Sequence, residues 1–136
     1  MSQKVELKEW IKGFIKHKDI FTNSIIEIKD FDDDFLVKYK DKEIFFYVSD
    51  SLSEVLKRMQ NSIVSIATLN TKANFDTLIQ NWHTLTKDET LTIYFVNPNS
   101  KTENKWIIRP AIHNKIADED TLKVGLESMF NTVEIV

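Results

Sequence analysis

The chain has 136 residues, a formal net charge of -3 at pH 7 and a sequence pI near 5.6, and it contains no cysteine. That length suits a single domain over residues 1–136, and a composition 42% hydrophobic and 29% charged excludes a largely disordered chain. Without cysteine there are no disulfides or thiolate metal sites, and the mild acidity gives no global attraction to phosphate backbones, so binding nucleic acid would require a local basic patch.

The N-terminal stretch SQKVELKEWIKGFIKHKD is charged throughout, which argues against a signal peptide or membrane span and makes a cytoplasmic location the expectation. Within it, Leu7, Trp10, Ile11, Phe14 and Ile15 recur at steps of three and four, predicting a helix near 3–18 with that face buried. Lys4, Lys8, Lys12 and Lys16 form a basic stripe on the other side, which Glu6 and Glu9 dilute into a solvated face. Three strands follow: SIIEIK at 24–29, DFLVKY at 34–39 and EIFFYVS at 43–49. The short charged turns between them predict an antiparallel meander. The third strand is apolar on both faces, so it belongs inside the sheet. SLSEVLKRMQ then reads as a short helix capped by Ser51 or Ser53, and SIVSIATLN as a buried strand.

Residues 71–85 carry the stripe Phe75, Leu78, Ile79, Trp82 and Leu85, predicting a helix with Asn70 or Thr71 as its cap. LTIYFVNP and KWIIRP form a second hairpin around a polar turn, closed by Pro98 and Pro110. ADEDTLKVGLESMF predicts a last helix near 119–130 with Asp118 at its cap, before TVEIV as a final short strand. The order αβββαβαββα gives an α/β fold, with α+β as the alternative class: one three-layer domain in which helices flank a central mixed sheet of five to seven strands. The strand, helix, strand run from 43 to 69 supplies a parallel crossover.

Chemistry is less legible. The only glycines, Gly13 and Gly125, fall inside predicted helices, which excludes a Walker A loop and a dinucleotide fingerprint. No GxSxG elbow is present, and His17, His83 and His113 lack the spacing of a zinc site. The acidic run DFDDD at 30–34 lacks the glycine and distal glutamate of an EF-hand and reads as a solvated turn. KWIIRPAIHNKIADED, part strand and part loop, gathers Trp106, Arg109, His113, Asn114 and Lys115 as a candidate binding surface. The plainer reading of the same residues puts Trp106 in the core and pairs Arg109 with a neighbouring acid.

Over residues 2–69 the order helix, three-strand meander, helix, strand resembles the core of the restriction-endonuclease-like superfamily, the PD-(D/E)xK nucleases, in element order more than in sequence. The resemblance implies an acid near the start of the second strand and an acid-x-lysine pair on the third, together holding a divalent metal and activating water. Asp34 stands at the first position. The other two fall on Tyr47 and Ser49 of YVS, which supply neither group, although Glu43 and Asp50 offer a rearranged set. The resulting expectation is a non-catalytic domain without a cofactor that acts by protein association, with a partner protein or as a homodimer. The alternative is a divergent Mg²⁺-dependent nuclease or nucleic-acid-processing protein with Asp34, Glu43 and Asp50 as catalytic residues and Asp34 and Asp50 as metal ligands. Convergence of those three carboxylates in a lysine-lined pocket would separate the two readings.

Overall fold

In the computed structural model, residues 3–60, 63–116, 118 and 120–136 are described, with side chains from Glu6 onward. The apolar face read from the first helix is the one that packs: α1 (Gln3–Lys18) buries Leu7, Ile11 and Ile15 against the sheet. The meander follows as β1 (Ile25–Phe31), β2 (Asp34–Tyr39) and β3 (Glu43–Val48). Asp32, at φ 55, turns the first hairpin; aspartate tolerates this left-handed backbone better than most residues. Next come α2 (Leu52–Arg58), β4 (Val64–Leu69), α3 (Lys72–Gln80), α4 (Trp82–Leu85), β5 (Thr92–Val96), β6 (Lys105–Ile108), α5 (Pro110–Ile116) and α6 (Leu122–Phe130).

All six strands form one mixed sheet in the order β1-β2-β3-β4-β5-β6. The β1–β2, β2–β3 and β5–β6 pairs are antiparallel, and β3–β4 and β4–β5 are parallel. Strand alternation gives the sheet two apolar faces. One carries Tyr47, Ile66, Ile93, Phe95, Trp106 and Ile108 and is covered by residues of α2, α3, α4 and α6. The other carries Phe35, Val37, Phe46, Val48, Tyr94 and Val96 and meets α1. The single α/β domain with a mixed sheet is therefore the architecture found, and every one of β4's residues is buried, as its β-branched run implies.

The structure differs locally from the sequence reading at several points. The helix expected over 71–85 is interrupted at Asn81, whose Nδ2 donates to the Thr77 carbonyl at 2.8 Å and competes with the helical ladder. Its cap is Thr71, one of the two residues expected there, accepting from the Asn74 amide at 3.1 Å, while Asn70 is used elsewhere. Pro110 opens α5, since a fixed φ and a missing N–H suit the first turn of a helix as well as the end of a strand. Residues 110–116, expected as loop, are thus helical. The last helix starts at Leu122 with Thr121 rather than Asp118 at its cap, and TVEIV contributes a single bridge, Val133 to Glu103. The expected start of that helix at 119 lies outside the described residues. Among the described residues no helix is long and apolar enough to cross a membrane.

Candidate functional site

Asp34 opens β2 but is not free. Its Oδ1 accepts the Val48 amide at 2.9 Å, and both of its oxygens receive the Arg58 guanidinium, at 2.7 and 3.1 Å. The Asp34 bond, with a further one from Glu54, raises the guanidinium's pKa against the opposing effect of desolvation, so Arg58 is a fixed cation. It also lies 5.0 Å over the Tyr47 ring. This knot ties α2 to β2 and β3. Asp50 sits at the same end of the sheet with an exposed side chain, whereas Glu43 begins β3, about 16 Å away along the strand at ordinary strand rise. The three carboxylates do not converge, and among the described residues no three acidic or histidine side chains gather closely enough to hold a metal ion. The acidic run at 30–34 is likewise divided: Asp30 pairs with Lys8 and Lys12, and the Asp32 carbonyl accepts Lys8. Asp34→Ala should cost about 2 to 3 kcal/mol in urea melts, because it strips a charged partner from Arg58 and the acceptor from Val48. Glu43→Ala and Asp50→Ala should stay within about 0.5 kcal/mol.

The residues of the 106–115 segment are spread over different environments. Trp106 is core: it stacks on Phe95 at 4.4 Å, and its Nε1 donates to Asn70 Oδ1 at 2.8 Å. Asn114 accepts the Trp82 Nε1 at 3.1 Å, and His113 meets the same indole edge-on at 6.0 Å. Lys115 pairs with Glu89 at 3.5 Å across solvent. Arg109 is exposed and just beyond β6.

Ligands of open α/β sheets commonly sit at the carboxyl ends of parallel strands. Here that end is closed by the chain itself. Buried Asn74 accepts the Leu52 amide and donates to the carbonyls of Asp50 and Leu69 and to the Thr68 hydroxyl. Asn70, fully buried, donates to the carbonyls of Phe130, Val133 and Glu134, and Asn97 donates to that of Glu134.

The amino end, on the α1 face, is open. One helix about 10 Å wide covers roughly two strands spaced at about 4.8 Å, so α1 cannot roof six. Below its last turn lies a concavity of about 440 Å³, floored by Ile15, Ile44 and Phe46. Tyr39, Ser65, Thr92 and Tyr94, on β2, β4 and β5, line it with hydroxyl-bearing side chains, and Lys18, Lys40 and Lys42 stand around it. Burial, helped by the neighbouring Tyr39 and opposed by the positive charge of Arg109, pushes the Tyr94 phenol up to about 12, so it is a neutral donor at every physiological pH. From the sequence alone these four residues read as ordinary strand formers. The signal in hand was Ser65, a hydroxyl in the middle of an otherwise apolar interior strand.

The second open feature is β1, whose only strand neighbour is β2. Four exposed large apolar side chains lie on it or in the turn before it: Ile20, Phe21, Ile26 and Phe31, with Phe21 96% exposed. No protein-family model, no curated protein and no solved structure matches this chain.

Proposed function

We propose that this chain is a non-catalytic domain that works by protein association, pairing with a second copy of itself through the edge of β1. The observation that carries this reading is the self-complementary sequence of that edge, Ile25-Ile26-Glu27-Ile28-Lys29-Asp30-Phe31. Antiparallel pairing about a two-fold axis at Ile28 sets Glu27 opposite Lys29 twice, in the regular part of the strand beyond the bulge at Ile26. Opposite charges across two strands are among the units that stabilise a sheet. Glu27 and Lys29 point to the face away from α1, since Ile28 pairs with Val37, an α1-facing residue, so no helix obstructs them. The exposed Ile20, Phe21 and Ile26 flank the same edge and gain cover from a partner. Support for the non-catalytic half of the proposal is the Arg58 fork on Asp34 and the distance of Glu43 from it.

Sedimentation velocity over a range of concentrations is expected to show a reversible dimer. Lys29→Glu, which faces Glu27 across the axis, should shift it to monomer without lowering the melting temperature of the monomer, and Glu27→Lys combined with Lys29→Glu should restore it. A protein that stays monomeric at all concentrations, or a dimer indifferent to Lys29→Glu, would overturn the pairing. Purified protein should leave DNA and RNA intact in the presence of Mg²⁺ or Mn²⁺. Cleavage that disappears in a folded Asp34→Ala protein would instead establish the nuclease reading.

A further inference from the structure

The concavity under the end of α1 is built rather than incidental. Tyr94 is 8% exposed and Ser65 4% exposed, yet neither side-chain hydroxyl is hydrogen-bonded to any described residue, and the same holds for Tyr39 and Thr92. Among the described residues no buried side-chain polar atom lacks a partner, so these four hydroxyls are reached by solvent and form a polar wall that can bond whatever enters the concavity. Their positions are fixed by the sheet: Ser65 pairs with Phe46 on one side and Thr92 on the other, and Tyr94 lies opposite Ala67. The wall therefore belongs to the rigid part of the fold.

The charge around this wall favours an anion. Lys18, Lys40 and Lys42 line the concavity, and none is in an ion pair among the described residues. Extending the β5–β6 register by one residue places Arg109 beside Thr92, where its charge reaches the Tyr94 phenol. Of the two acids at the rim, Asp19 is already engaged. It accepts from the amides of Ser24 and Ile25 and from the hydroxyls of Ser24 and Thr22. Desolvation works to raise this carboxyl, but those bonds outweigh it and hold it at about 2. Ionised, it keeps its charge, so Asp19 and Asp41 stand against the three lysines and leave the concavity a small positive excess.

From this geometry we infer that the concavity binds a small phosphate monoester on a hydroxylated ring, with lysines at the rim taking the phosphate and the Tyr39, Ser65, Thr92 and Tyr94 hydroxyls exchanging hydrogen bonds with the body. About 440 Å³ lies within the range of small-molecule sites, and the floor of Ile15, Ile44 and Phe46 suits the apolar face of a ring. Lysine acts on phosphate as a point charge, so the anion is placed by charge and the ring by the hydroxyl wall. The site is built on α1, β2, β3, β4 and β5, and the proposed pairing edge is β1, so each can fail without the other.

Isothermal titration calorimetry on the full chain tests this with four probes: glucose 6-phosphate, adenosine monophosphate, glucose and inorganic phosphate. One of the two monoesters is expected to bind saturably and to weaken as salt rises, with glucose and inorganic phosphate at least about tenfold weaker. Lys18→Ala with Lys42→Ala, and separately Tyr94→Phe, should each weaken the monoester by about tenfold or more. Tyr94→Phe keeps the ring that packs on Phe14 and Phe46, so an unchanged melting temperature separates loss of binding from loss of fold. Absence of saturable binding by both monoesters would overturn the inference. So would inorganic phosphate binding as tightly as either, or binding indifferent to Tyr94→Phe.

Discussion

Asn70→Ala is expected to lower the unfolding free energy by about 3 to 4 kcal/mol, measured in urea melts. The side chain is fully buried and serves four partners: its Nδ2 reaches the carbonyls of Phe130, Val133 and Glu134 at 3.1 to 3.4 Å, and its Oδ1 receives the Trp106 indole at 2.8 Å. Alanine leaves that indole N–H buried and without its acceptor, beside carbonyls that have lost their donor. Asn70→Asp separates the two halves of the effect. It keeps an acceptor for Trp106 but turns a negative charge toward three carbonyl oxygens, so it should be at least as damaging as alanine. Near-neutral melts for either variant would mean that the C-terminal residues do not depend on Asn70.

Trp82→Ala should cost about 3 to 5 kcal/mol by the same measurement. The indole is 5% exposed within the larger apolar cluster, its Nε1 donates to Asn114, and His113 packs edge-on against it. Removing it opens a cavity between α4 and α5, whose helices meet around this ring. Trp82→Phe retains much of the volume and should recover a large part of the loss, although Asn114 is then left to solvent. A cost below about 1 kcal/mol for Trp82→Ala would place this face outside the cooperative core.

How far these features were legible depends on the kind of signal each leaves. Periodicity marks a buried face, so Leu7, Ile11 and Ile15 disclosed α1 and its packing side, and the alternation around the DFLVKY and EIFFYVS runs disclosed the meander. The break at Asn81 leaves no trace in an apolar stripe, because Trp82 and Leu85 continue it in phase across the interruption. Pro110 was ambiguous for a different reason, as the same ring ends strands and starts helices. Asp34 was identified as a special carboxylate, but its partner Arg58 lies 24 residues away and no spacing rule connects them. The concavity was invisible because its cause is an absence of cover: the sequence assigns helices without assigning them to faces, and four go to one side of the sheet and one to the other.

The Asn70 cluster also bears on how the chain folds as it is made. Strands β1 to β5 neighbour one another in the order of synthesis, so each can dock on its predecessor as it appears. Asn70 cannot complete its bonds until residues 130–134 exist, some sixty residues later. Through that interval a polar side chain destined for a dry interior has only water for a partner, and the exposed end of the growing sheet resists closing over it. A nascent chain halted before residue 130 should therefore remain open to proteases in the region around β4, and adding those last residues should seal it in one step.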